Sequence, residues 1–98
     1  MSAADGLLGL AFDNINTVKP TKVETPVQNM IEQKAISEPL FTVKLSSYRD
    51  KNEDSFYTFG FIDEPTVKAT GQEIHYAPVN NQKGMWLFDS TTVSVGGQ

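Results

Sequence analysis

Two glycines within an apolar run near the amino terminus place the strongest constraint on how this chain can fold. Residues 5–12 read Asp-Gly-Leu-Leu-Gly-Leu-Ala-Phe, so Gly6 and Gly9 flank Leu7 and Leu8. A glycine inside an extended segment has no side chain to pack, and it is used where another backbone segment or a ligand comes close. The run therefore predicts a buried strand or strand-turn in which the glycines permit close backbone packing.

Downstream of this run, the pattern of apolar residues predicts mainly β structure with one short helix. Thr25-Pro26 with Gln28 shortly after is a helix-start signal, and apolar residues at spacings of three and four predict a helix over about 26–35. An almost wholly apolar strand at 56–62 is expected to be covered on both faces. The other predicted elements are strands at 41–45, 74–79, 85–88 and 91–95, loops at 13–24 and 65–71, and turns at 48–54 and 80–84.

Composition excludes several classes of function. The 98 residues carry a net charge of −4, and such a chain repels phosphate, so nucleic acid is not expected as a partner. The absence of cysteine excludes disulfides, thiolate metal sites and cysteine nucleophiles. No apolar run approaches the roughly 18 residues that a membrane span needs, and residues 1–5 lack the basic start and apolar centre of a signal peptide. The sequence therefore predicts at most one domain and no membrane partner.

Three local motifs resemble metal or catalytic sites, and each is incomplete. Residues 50–54 begin like a calcium loop, but the sixth and twelfth positions are serine and phenylalanine instead of glycine and glutamate. His75 is the only histidine, and one imidazole does not build a multi-histidine metal site. Asp89 begins an Asp-Ser-Thr triplet that lacks the glycine through which backbone amides approach a catalytic carboxylate. We therefore predict no catalytic residue, no metal ligand and no cofactor.

Taken in order, the motifs along the chain resemble those of pepsin-type aspartic endopeptidases of the fungal branch. The resemblance is carried by residues 5–12, Asn-Thr-Val at 16–18, the Pro-capped helix, Leu-Phe-Thr-Val at 40–43, Phe-Gly-Phe-Ile-Asp at 59–63, Thr-Gly at 70–71, Gly-Met-Trp at 84–86 and Ser-Thr-Thr-Val-Ser-Val-Gly at 90–96. Their order and spacing extend over almost the whole chain, which makes the combined signal specific.

The resemblance implies a partial pepsin-like acid protease fold. In such enzymes two lobes each contribute an Asp-Thr-Gly or Asp-Ser-Gly, and the paired carboxylates share a proton so that one acts as base on the attacking water. Neither triplet occurs in this sequence, so the resemblance implies a central segment that lacks the dyad and is inactive alone. It also implies a division into 1–63, the end of the amino-terminal lobe with inter-lobe strands, and 64–98, the start of the carboxy-terminal lobe.

The resemblance assigns roles to individual residues. Leu7 is implied to face the S1 side of the substrate cleft, and Met85 to occupy a primed-side position usually held by Phe or Tyr. A thioether side chain adapts its shape, so Met85 should loosen the primed-side preference. Trp86 is implied to lie behind Met85; its large indole predicts a core position with an acceptor for the ring N–H. The residues implied to be structural are Gly6, Leu8 and Gly9.

The implied partner is a peptide or protein substrate of the parent enzyme, and the implied location is extracellular, although this chain carries no signal peptide. An alternative is a non-catalytic β-rich module that binds protein or peptide and derives from the same fold. Open strand edges also predict self-association, because an unpaired edge is a template for another strand.

Overall fold

The computed structural model describes residues 3–98. In it, helix α1 (Pro26–Glu32) begins at the residue that the Thr25-Pro26 signal predicts. The helix is shorter than the predicted 26–35. Lys34 adopts the left-handed conformation with φ 56°, its N–H donates to Ile31 O at 3.1 Å, and the Ala35 N–H donates to Met30 O at 2.9 Å. These two bonds form the Schellman arrangement, which satisfies the last carbonyls of a helix and stops it.

Strands β1 (Phe41–Lys44) and β2 (Phe56–Phe59) form an antiparallel pair, with Phe41 opposite Phe59 and Lys44 opposite Phe56. Both lie within predicted strands. Strand β2 ends before residue 62 because Gly60 has φ +90° and its N–H donates to Leu40 O at 2.8 Å. The prediction that 56–62 is covered on both faces is wrong, since the Tyr57 side chain is 54% exposed.

A second helix, α2 (Glu64–Thr70), occupies the stretch predicted to be a loop. It is preceded by Asp63, has a proline in its first turn, and ends at Gly71, which has φ +69° and donates its N–H to Lys68 O. Thr66 Oγ1 donates to the Asp63 carboxylate at 2.5 Å. These are ordinary helix-start and helix-stop signals. The prediction of a loop was wrong because it followed the Pro, Thr and Gly content of the segment and not these boundary signals.

The carboxy-terminal strands predicted at 74–79, 85–88 and 91–95 are not strands in the described part of the chain. There an isolated bridge joins Asn80 to Leu87, with the Asn80 N–H donating to Leu87 O at 2.7 Å. A strand exists only through pairing with a neighbour, and these segments find no partner strand within residues 3–98. The glycine-containing ribbon, residues 6–12, is likewise not a strand. It is not buried as predicted, since Leu7 and Leu8 are exposed. Asp13–Ile15 forms one turn of 3₁₀ helix within the predicted loop.

The chain forms two compact units, one made of residues up to Thr25 together with His75–Gln98, the other of Pro26–Ile74. No hydrophobic side chain among the described residues is buried; the buried residues are Thr58, Gly60 and Gly84. Neither helix in residues 3–98, each seven residues long, has the length or apolarity to cross a membrane. The predicted division at residue 63 refers to lobes of a larger fold and stays a prediction.

Candidate functional site

The indole of Trp86 links the two ends of the first unit. Its Nε1 donates to Leu10 O at 2.8 Å across 76 positions of sequence. The ring also packs on Phe12, with 4.5 Å between ring centroids and an interplanar angle of 36°. The glycine-containing ribbon and the Gly-Met-Trp motif, both singled out from the sequence, therefore meet in space, and the indole N–H has the acceptor that was expected.

Gly84 makes this meeting possible. Its φ is +80°, and a Cβ at this position would lie 2.5 Å from Ile15 Cγ2 and 3.0 Å from Asn14 Oδ1. The Phe12 N–H donates to Gly84 O at 3.1 Å, and the Gly84 N–H donates to Asn81 O at 2.9 Å. Only glycine has both the backbone conformation and the absent side chain that this turn needs.

Side-chain hydrogen bonds extend the contact around Gly84. Asn14 Nδ2 donates to Gln82 O at 3.1 Å, and Lys22 Nζ donates to Asn14 O at 2.9 Å. Asp13 accepts the Thr25 N–H at 3.0 Å. The sequence predicts a loop at 13–24 but does not predict these hydrogen bonds. The available signal was the Asp-Asn-Ile-Asn run, whose short polar side chains characteristically bond to nearby backbone.

The side chains predicted to contact substrate are accessible in this unit. Leu7 is 85% exposed, Met85 48% and Trp86 51%. The core position predicted for Trp86 is therefore wrong, because half of its surface faces solvent. Met85 and Trp86 present apolar surface on a turn that hydrogen bonds hold against Leu10 and Phe12, and exposed apolar surface can bind apolar side chains of a ligand. Whether these residues bind substrate stays a prediction.

Gly6 and Gly9 do not resemble Gly84. A Cβ at either position would meet no atom within 4 Å, so the close packing predicted for them is not made with the described residues. Leu8, between them, is 53% exposed. Their structural role beside a neighbouring loop remains a prediction.

The three incomplete motifs lie at the surface, where Asp50, His75 and Asp89 are exposed. Within residues 3–98 there is no group of three or more His, Cys, Asp or Glu that could hold a metal ion. In the charged turn, Asp50 Oδ1 accepts the Asn52 N–H at 3.0 Å, a local turn contact.

Comparison with known proteins places this sequence in a family. The sequence profile described as eukaryotic aspartyl protease matches residues 1–98. The chain is 42% identical over 95 residues to aspergillopepsin-1 of Aspergillus oryzae, covering 97% of this chain and 22% of that protein. It is 39% identical over 93 residues to penicillopepsin-1 of Talaromyces stipitatus, covering 95% of this chain and 22% of that protein. No solved structure matches.

The chain thus spans about a fifth of the length of the curated relatives it matches, and these relatives are fungal. Its mostly non-helical structure, with a small two-stranded sheet and two short helices, is consistent with a partial pepsin-like fold. A profile match over the full sequence, supported by relatives near 40% identity, establishes that this chain belongs to the eukaryotic aspartyl protease family.

Proposed function

We propose that this chain acts as the central segment of a secreted, pepsin-like aspartic endopeptidase and supplies cleft and structural residues, while the catalytic carboxylates belong to other parts of the enzyme. The observation that carries the proposal is the match of the whole chain to about a fifth of fungal aspartic proteases, in a sequence without Asp-Thr-Gly or Asp-Ser-Gly.

The proposed contribution to catalysis is positioning. Peptide hydrolysis by paired carboxylates needs the scissile bond held close to the activated water. Leu7 and Met85 offer exposed apolar surface for substrate side chains, and the hydrogen bond from Trp86 to Leu10 O fixes the backbone from which Met85 projects. The Met85 side chain adapts to differently shaped partners, which favours a broad primed-side preference.

The proposal that this chain is inactive without the catalytic dyad is tested with the purified chain. At acid pH we expect no cleavage of a denatured protein substrate above a buffer blank. Cleavage at acid pH that a statine peptide inhibits would contradict the proposal. A statine peptide is the diagnostic inhibitor because statine mimics the tetrahedral transition state.

Segment exchange tests the cleft role. Replacing the matched 95-residue segment of the Aspergillus oryzae aspergillopepsin-1 with this sequence should preserve acid proteolysis. In that chimera, Met85→Ala should lower kcat/KM by about tenfold for substrates with a large apolar primed-side residue, because apolar contact with the substrate is lost. Val93→Ala, at a position 88% exposed in this chain, is the matched control and should leave kcat/KM within a factor of two.

The chimera also separates the alternative function. An inactive chimera, combined with peptide binding by the isolated chain, would favour a non-catalytic binding module. Export is tested by expressing the parent gene in a fungal host, where the proposal expects the protein in the culture medium.

Self-association of the isolated chain is a further part of the proposal. Each of β1 and β2 has one edge without a partner strand in the described structure, and an open edge can pair with another chain.

A further inference from the structure

Three contacts hold the turn at 82–86, which carries Met85, against the amino-terminal segment at 10–14. The contacting pairs are Leu10 with Trp86 at 2.8 Å, Phe12 with Gly84 at 3.1 Å, and Asn14 with Gln82 at 3.1 Å. Steps of two residues forward along the segment match steps of two residues backward along the turn, as in an antiparallel strand pair. Only the middle contact joins two backbone groups, so the register of the turn depends on the side chains at positions 14 and 86.

The backbone at Asn14 is itself held from the loop that follows it. Lys22 Nζ donates to Asn14 O at 2.9 Å, and the Thr25 N–H donates to the carboxylate of the preceding residue, Asp13, at 3.0 Å. Asn14 is therefore fixed through its own carbonyl group, while its side-chain amide donates to Gln82 O. An amide that projects from a fixed backbone can position the segment that accepts its hydrogen bond.

The turn is also closed internally, so a contact at one of its residues restrains the others. Its internal hydrogen bonds run from the N–H groups of Asn80, Gln82 and Gly84 to Leu87 O, Asn80 Oδ1 and Asn81 O, at 2.7, 3.1 and 2.9 Å respectively. Met85 lies between two residues that contact the segment at 10–14, and its side chain is 48% exposed. A contact at Gln82 therefore limits the movement of Met85.

We propose that Asn14 is a positioning residue for substrate binding: it holds the turn at Gln82 and so keeps Met85 where it contacts an apolar primed-side residue of the substrate. This inference rests on the proposed function of the cleft. Without the Asn14 contact the turn has two anchors instead of three, and apparent affinity falls with the fraction of molecules in which Met85 is correctly placed. Such a change raises KM for substrates that use Met85 and leaves kcat unchanged.

An aspartate at position 14 would make the contact dependent on pH. Its side chain has nearly the shape of asparagine, but it donates a hydrogen bond only when protonated, and an ordinary aspartate has a pKa of about 3.9. Below that pH the acid O–H donates to Gln82 O, whereas above it a carboxylate faces a carbonyl oxygen. The charged neighbours in contact or in sequence are Asp13, Lys22 and Lys83. Two ammonium groups against one carboxylate favour ionisation, which moves the transition to lower pH without reversing it.

The contact is tested on the isolated chain through the indole proton of Trp86, its only tryptophan. At about pH 3 the NMR chemical shift of this proton in Asn14→Asp should approach that of the wild type. At about pH 6 it should approach that of Asn14→Ala, which has no donor at any pH. The matched control is Asn16→Asp, because Asn16 Oδ1 accepts the Val18 N–H at 2.8 Å and either form of aspartate still accepts. Equal pH dependence in Asn14→Asp and Asn16→Asp overturns the inference.

The effect on substrate binding is tested in the aspergillopepsin-1 chimera. At about pH 5, Asn14→Asp should raise KM about two- to tenfold for a substrate with a large apolar primed-side residue, which is the range of one hydrogen bond. The value of kcat should stay within about a factor of two. At about pH 3 KM should return to that of the unsubstituted chimera measured at the same pH, a recovery that a variant without its fold would not show.

A second substrate, with alanine at the same primed-side position, separates positioning from a general structural role. Its KM should not respond to Asn14→Asp, because alanine has little apolar surface for Met85 to contact. An equal change for both substrates, or a fall in kcat at constant KM, overturns the positioning role. An inactive unsubstituted chimera is a different outcome: it overturns the proposed function, and with it the substrate role of Asn14, even where the indole shift shows the contact.

Discussion

Replacing Gly84 with alanine should detach the amino-terminal ribbon from the Gly-Met-Trp turn. Two costs add. A residue with a side chain at φ +80° is strained by about 1–2 kcal/mol. The new Cβ, 2.5 Å from Ile15 Cγ2 and 2.8 Å from Ile15 Cγ1, adds an overpacking cost of about 1–3 kcal/mol. Ile15 is 44% exposed and can rotate toward solvent, which places the steric part near its lower end.

The free energy of unfolding should therefore fall by about 2–3 kcal/mol in Gly84→Ala. Trp86 is the only tryptophan and lies in the affected contact, so urea denaturation followed by its fluorescence reports on this site directly. Hydrogen exchange of the indole N–H gives a second readout, because Leu10 O protects it at 2.8 Å. Exchange should accelerate by about 30- to 150-fold, which is the same free energy expressed as an opening equilibrium.

Gly9→Ala is the matched control. Position 9 has no positive φ, and its Cβ would meet no atom within 4 Å. The change should leave stability within about 0.5 kcal/mol. Equal effects of Gly84→Ala and Gly9→Ala on urea midpoint and indole exchange would refute the argument that the close approach at Gly84 holds the site together.

Three further changes test the local packing by urea denaturation and circular dichroism. Gly60→Ala should destabilise the second unit by about 2–4 kcal/mol, because φ is +90° and the Cβ would lie 2.5 Å from Ile36 Cβ. In an Ile36→Gly background, which lacks that Cβ, Gly60→Ala should cost only the backbone strain of about 1–2 kcal/mol, and an equal cost in both backgrounds would contradict the clash. Lys34→Gly should stabilise the chain by up to about 1 kcal/mol, because glycine adopts φ 56° without strain, whereas Lys34→Ala should not. Trp86→Phe should lower stability by about 0.5–1.5 kcal/mol, since it keeps an aromatic ring beside Phe12 but removes the donor to Leu10 O; an unchanged midpoint would mean that this bond contributes nothing net.

The exposed apolar side chains are explained by the length of this chain compared with its relatives. The relatives are about five times longer, and this chain by itself buries no hydrophobic side chain among its described residues. Burial of apolar area is the main favourable term in folding, so a chain with this surface gains stability from any partner that covers it. That holds for the proposed parent enzyme.

Local elements were predictable where the signal is local. The start of α1 follows from Thr25-Pro26, and β1 follows from alternation over 41–45, because capping and strand alternation depend on neighbouring residues. The α2 helix had equally local signals at Asp63 and Gly71, and was missed because its composition resembles that of a loop. The prediction of strands from residue 74 onward was wrong for a different reason: a strand needs a partner strand, and the partner is often remote in sequence.

The sequence by itself determined the family. The order and spacing of the motifs over almost the whole chain can be recognised without knowing which residues are in contact. It also determined that no Asp-Thr-Gly or Asp-Ser-Gly is present. Only the tertiary structure decided at which positions glycine is required. Gly6 and Gly9 were predicted to pack closely but have open space around them. Gly60 and Gly84 lie against Ile36 and Ile15, respectively. The physical reason is that a glycine's necessity depends on its φ and on atoms brought near by folding, and neither is written in the residues beside it.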